Sequence, residues 1–132
     1  MGERPALSKG EMEVARLLWQ LGEGTVRQVH EAFPAQRMVD FTTVQTYLRR
    51  LERKGYARSR LAGRTRVYAP TVQPATVIRE TVDDLVERLF GGETLPLVRH
   101  LIEDRGISEP DLAQLRQLLD RLEEETDDRA RQ

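Results

Sequence analysis

The sequence predicts a mainly α-helical protein with one small β-hairpin, divided into a basic N-terminal domain and an acidic C-terminal helical domain. Three observations predict it. Apolar residues recur three and four positions apart along most of the 132 residues. That period is lost between Gly55 and Pro70, where two short runs flank a glycine-containing turn. The formal net charge of −1 also hides a division: residues 1–73 hold 13 Lys and Arg against seven Asp and Glu, and residues 74–132 hold eight against 15.

Ser8 followed by Glu11 is a capping-box pattern, so a first helix is expected there. Val14, Leu17, Leu18 and Leu21 form its apolar face, Met12, Ala15 and Trp19 widen it, and Gly22 and Gly24 end it. Trp19 reads as a core residue. Thr25 with Gln28 repeats the pattern for a short second helix carrying Val26, Val29 and Phe33, which Pro34 stops. Thr42 with Gln45 repeats it again, for a third helix that runs to Lys54 and leaves Gly55 in a left-handed position. Val44, Tyr47, Leu48 and Leu51 share one face of this helix. Thr42, Thr46, Arg49 and Arg53 lie opposite, flanked by Gln45 and Arg50. "YARSRL" and "RTRVYAP" then read as two strands, with Arg58 and Arg60 on one, Arg64 and Arg66 on the other. The hairpin is expected to lean on the helices through Leu61, Val67 and Tyr68.

A change of composition at Pro74 sets the domain boundary between residues 73 and 74. Ile78, Val82, Leu85 and Leu89 have the seam spacing of packed helices before Gly91 and Gly92. Leu95, Val98, Leu101 and Ile102 mark a short helix ending at Gly106, and Ser108 opens a last one with Leu112, Leu115, Leu119 and Leu122 on one face. Residues 127–132 offer no apolar partner and are expected to form a disordered tail. Residues 74–126 are too few to close a core of their own around so much Leu, Val and Ile. The economical partner is a second copy across a two-fold axis, so this segment is expected to be a dimerisation domain; folding back onto the N-terminal half is the alternative.

Several classes are excluded. No stretch approaches the roughly 18 apolar residues of a membrane span and the first residues lack a signal core, so a cytoplasmic protein without membrane insertion is expected. The absence of cysteine removes disulfides, thiol catalysis and thiolate ligands. His30 and His100 stand in different halves, and "VHEAF" lacks the second histidine of a zinc-protease motif, so no metal site or other cofactor is expected. No nucleophile with a base, carboxylate pair or phosphate-cradling loop stands out, so the chain does not read as an enzyme.

Three helices followed by a basic hairpin is the arrangement of a winged helix-turn-helix. In such a module the third helix enters the DNA major groove and the hairpin follows the backbone. Gln45 can pair with adenine and Arg49 with guanine, while Thr42, Thr43 and Thr46 can bond phosphates or touch a thymine methyl. Arg50 and Arg53 extend the basic face; Arg53, Lys54, Arg58, Arg60, Arg64 and Arg66 suit phosphates. The rival reading is a winged helix used as a protein interaction module, its basic face docking an acidic partner. Thr and Gln at the helix start favour DNA, since a docking face more often carries exposed apolar anchors.

"LSKGEMEVARLLWQLGEGTVRQVHEAFP", "TTVQTYLRRLERKGY", "RTRVYAP" and "LVERLFGG" together resemble the penicillinase-repressor family of bacterial transcriptional regulators, the BlaI/MecI/CopY group, from Leu7 to about Leu122. The resemblance implies an N-terminal winged domain, a C-terminal dimerisation domain and repression from a palindromic operator in double-stranded DNA. It places the recognition role on Thr42, Thr43, Gln45, Thr46 and Arg49, and the wing role on Arg64 and Arg66. In the β-lactam-responsive members of that family the partner is a membrane-bound sensor protease. Copper-responsive members carry a cysteine pair that this chain lacks, and the Asn-Phe bond cut in β-lactam-responsive members is replaced here by His100-Leu101.

Overall fold

A computed structural model describes residues 4–131. The elements are α1 (Lys9–Leu21), β1 (Gly24–Thr25), α2 (Val26–Glu31), α3 (Phe41–Arg53), β2 (Ala57–Ala62), β3 (Thr65–Pro70), α4 (Pro74–Leu89), α5 (Leu95–His100) and α6 (Glu109–Arg131). A π-helical turn, Leu101–Arg105, follows α5. The chain forms two compact units, one ending at Thr81 and the other starting at Val82.

In the N-terminal unit two of the three expected capping boxes form, those of α1 and α2. Ser8 Oγ accepts from the Glu11 N–H while the Glu11 carboxylate accepts from the Ser8 N–H, and Thr25 and Gln28 do the same for α2. Helix α3 begins earlier than expected. Asp40, extended at φ −73° and ψ 146°, is its N-cap, and the Asp40 carbonyl accepts from Thr43 and Val44; Thr42 therefore lies inside the first turn. Gly55, at φ +91°, takes the left-handed position after the helix.

The sheet has three strands in the order β1-β3-β2, all antiparallel. The two-residue strand β1, too short to leave a period in the sequence, pairs Gly24 with Tyr68 and Thr25 with Val67. Gly63 and Arg64 make the hairpin turn between Ala62 and Thr65, so Arg64 stands at the tip and not on a strand. Gly63 has φ +69° at the first central position, which suits glycine there.

The core joins Val14, Leu17 and Leu18 of α1, Val29 of α2, and Val44, Leu48 and Leu51 of α3 to Tyr56, Ala57, Tyr68 and Val77. Val77 lies on α4, and the Trp19 indole N–H donates to the Val72 carbonyl at 3.0 Å. The N-terminal unit thus continues past the expected boundary at residue 73, because the start of α4 is needed to close its core. Of the hairpin residues expected to lean on the helices, Tyr68 is buried and Val67 partly so, but Leu61 projects beyond the core and is 63% exposed.

Among the ion pairs of this unit, the one between Lys54 and Glu11 has a buried carboxylate. Lys54 Nζ lies 2.6 Å from Glu11 Oε1 and donates to the Ala6 carbonyl at 2.9 Å, while Tyr56 Oη donates to the Pro5 carbonyl at 2.8 Å. Together they fasten the chain before α1 onto the end of α3. Burial pushes the Glu11 carboxyl up, but the Lys54 hydrogen bond and the Ser8 contacts outweigh it and hold the group below its ordinary range.

In the second unit, the end of α4, α5, the π-helical turn and α6 leave most apolar side chains in water. Val82, Leu85, Leu89, Leu101, Leu112, Leu119 and Leu122 are exposed; Val98 and Leu115 are half-buried. Ile78, on the part of α4 that belongs to the first unit, is exposed as well. Residues 127–131 continue α6 where a disordered tail is expected, and Gln132 lies outside the described residues. Glu125 with Arg129 and Asp127 with Arg131 stand four apart, acid first, a spacing that supports an exposed helix without apolar partners.

Candidate nucleic-acid interface

Helix α3 buries Val44, Leu48 and Leu51, and this fixes which face it turns outward. Thr42, Thr46, Arg49 and Arg53 form one exposed stripe, with Gln45 and Thr43 half-buried beside it. The Thr46 hydroxyl donates to the Thr42 carbonyl at 3.0 Å, leaving its lone pairs outward. Arg50 lies over the Tyr47 ring at 5.9 Å from its centroid, on the edge of the stripe nearer α1.

The segment before α3 is held in place. His30 Nε2 lies 2.7 Å from the Val39 carbonyl, which can only accept, so this nitrogen carries the proton; the ring also meets Phe41 edge-on. Met38 and Phe41 nevertheless remain 87% and 46% exposed, so this end of the helix does carry apolar side chains that the sequence reading left out.

The hairpin register sorts the wing arginines. Ser59 faces Tyr68 across the ladder and Leu61 faces Arg66, so these four share the side turned to α3. Arg58 and Arg60 point to the other side, where Arg60 makes two bonds to the Glu23 carboxylate, at 3.0 and 3.1 Å. That pairing lowers the Glu23 carboxyl and raises the Arg60 guanidinium, chiefly through the shared hydrogen bonds.

The structure therefore brings Thr42, Gln45, Thr46, Arg49 and Arg53 together on one helix face, with Arg64 at the wing tip and Arg66 on the inner wing. Arg58 and Arg60 do not join that surface. Nor does Lys54, whose charge is committed to Glu11. Sequence reasoning missed Glu52, which accepts hydrogen bonds from Ser59 of the wing. A signal existed: besides Asp40 it is the single acidic residue between positions 40 and 70.

Three helices backed by a three-stranded sheet, with a basic hairpin turned toward the outward face of the third helix, define a winged helix-turn-helix domain followed by a helical segment. A family model described as penicillinase repressor matches residues 7–121, and the chain belongs to that family. It is 36% identical to the transcriptional regulator BlaI of Mycobacterium tuberculosis over 118 residues, covering 86% of this chain and 84% of that one. It is 25% identical to the penicillinase repressor of Bacillus licheniformis, over 91% of this chain and 94% of the relative. The solution structure of the DNA-binding domain of the repressor BlaI superposes with a TM-score of 0.50 at 28% identity, covering 57% of this chain and 92% of that domain.

Proposed function

We propose that this protein is a sequence-specific DNA-binding transcriptional repressor, cytoplasmic and without catalytic activity, that acts as a homodimer on a palindromic operator. The observation that carries the reading is the outward face of α3, where Thr42, Thr46 and Arg49 are exposed and Gln45 is half-buried beside them, next to the inner wing. Gln45 and Arg49 are the base readers, Thr42, Thr43 and Thr46 set the helix in the groove, and Arg53 and Arg64 hold phosphates. Arg50 adds charge at the edge of the groove.

Dimerisation is supported by the apolar stripes of α4 and α6. Val82, Leu85, Leu89, Leu112, Leu119 and Leu122 stay exposed in a single chain, with Val98, Leu101 and Leu115 adding to the same unit. Joining two copies there would hold two recognition helices about one turn of DNA, roughly 34 Å, or a multiple of it apart. Anything that separates the copies then releases the operator. A membrane-bound sensor protease would need a bond preference other than Asn-Phe to act at or near His100-Leu101; both residues are exposed, where α5 passes into the π-helical turn.

The exposed Met38 and Phe41 give some substance to the rival reading of a protein-docking face. Substitution on α3 separates the two. Gln45→Ala or Arg49→Ala is expected to cost about 1–3 kcal/mol on a specific site and to relax base preference at one position. Arg64→Ala should weaken all sequences alike and flatten the salt dependence. Titration of duplexes varied one base pair at a time measures both; base preference unchanged in both helix variants would mean that this face does not read DNA.

A further inference from the structure

A surface meant for phosphates has reason to exclude carboxylates, yet Glu52 sits on α3 three residues after Arg49 and one before Arg53. Its contacts account for its presence. Glu52 Oε2 accepts from the Ser59 backbone N–H at 3.1 Å, and its two oxygens lie 3.0 and 2.8 Å from the Ser59 hydroxyl, which donates to them. The same hydroxyl oxygen accepts from Arg66 Nη1 at 2.9 Å. A chain of hydrogen bonds thus runs from the recognition helix through β2 to β3.

Below that chain lies Tyr68, the partner of Ser59 across the ladder and 2% exposed. Burial pushes its phenol up, the Glu52 carboxylate adds to this, and the Arg66 and Arg49 guanidiniums oppose it. Beyond Tyr68 the hairpin has little core to rest on: residues 60–66 are all exposed. Buried apolar contact secures the base of the wing and cannot by itself set the direction of its outer half.

We propose that Glu52 is a positioning residue that fixes the outer wing against the recognition helix, so that Arg64 and the α3 stripe meet one duplex together. Ser59 relays this hold, and Arg66 serves as a strut within the wing and not as a phosphate contact. The inference rests on the reading of α3 and the wing as a DNA interface. It carries a sign that charge alone does not. Removing an anion from a DNA-binding face should tighten binding by simple electrostatics, whereas releasing the wing should weaken it.

The experiment uses the full-length protein and variants Glu52→Ala, Glu52→Gln and Ser59→Ala, each checked by thermal unfolding. Affinity is measured for duplexes carrying a selected site with flanks either ending at the bases read by α3 or extended by a further half-turn. The wild type should gain affinity from the longer flank, which the wing can reach. Glu52→Ala should lose that gain and bind the long duplex about 5- to 30-fold more weakly, while keeping its base preference. Ser59→Ala, which changes no charge and keeps the backbone N–H bond, should move the same way by less, and Glu52→Gln should fall between. Equal or tighter binding by Glu52→Ala with the flank gain intact would overturn the proposal. A wild-type protein with no preference among sequences would instead remove the DNA reading on which it rests.

Discussion

Placing glutamate at both Leu85 and Leu119 is expected to make the protein monomeric and to lower its affinity for a two-fold symmetric operator by about 10²–10⁴-fold, with half-site affinity unchanged. Both side chains are exposed, and both lie in the unit that begins at Val82, outside the core around Val14, Leu48 and Tyr68. The recognition helix and wing should be untouched. The loss is of effective concentration: tethered to a bound copy, the second winged domain searches a small volume, whereas a free monomer pays the full association cost at each half-site. Sedimentation gives the oligomeric state, and titrations of whole and half operators give the coupling. A double variant that stayed dimeric, or kept full affinity as a monomer, would show that these stripes do not join the two halves.

Lys54→Ala should destabilise the winged domain by on the order of 3 kcal/mol, because it leaves the Glu11 carboxylate buried without its cation. This is the low end for a buried pair, since Lys54 keeps part of its side chain in water. The effect depends on pH with a definite sign. The folded-state pKa of Glu11 is depressed, so the pair's contribution is fully present above the ordinary carboxylate range, about pH 4.3, and is lost as pH falls through the folded value. The stability gap between wild type and Lys54→Ala should be widest near neutral pH and shrink as pH falls below the ordinary carboxylate range. Urea unfolding at a series of pH values measures it, with Glu11→Gln combined with Lys54→Ala recovering part of the loss. A gap that did not change with pH would mean that lost packing of the Lys54 stem, and not its charge, is responsible.

Much of the winged domain was legible because its signals are local. A capping box shows as Ser or Thr three residues before Glu or Gln, and the burial of Val44, Leu48 and Leu51 settles from spacing alone which face of α3 turns outward. What escaped depends on contacts distant in sequence. Strand β1 has two residues and exists only because β3 pairs with it. Lys54 looked like one more cation at the end of a basic helix; its partner Glu11 is 43 positions away and faces it only once α1 and α3 pack. Val77 belongs to the first core despite the shift in composition at Pro74, since a core closes on whatever apolar group reaches it. Strand alternation was legible, but which side of β2 faces α3 was not, and that decides the places of Arg58, Arg60 and Arg66. The helical state of residues 127–131 rests on charge spacing within α6, a signal present in the sequence and outweighed there by the lack of apolar residues.

Two copies of this chain are expected to read a symmetric sequence through α3. This is tested most directly by incubating the purified full-length protein with random-sequence duplex DNA at two salt concentrations, then recovering and sequencing the bound fraction. One enriched motif with two-fold symmetry is expected, with half-sites spaced by about one helical turn or a multiple of it, and the same preference at both salts while overall affinity falls. Binding without enrichment that disappears at the higher salt would contradict it, leaving a basic surface that attracts DNA without reading it.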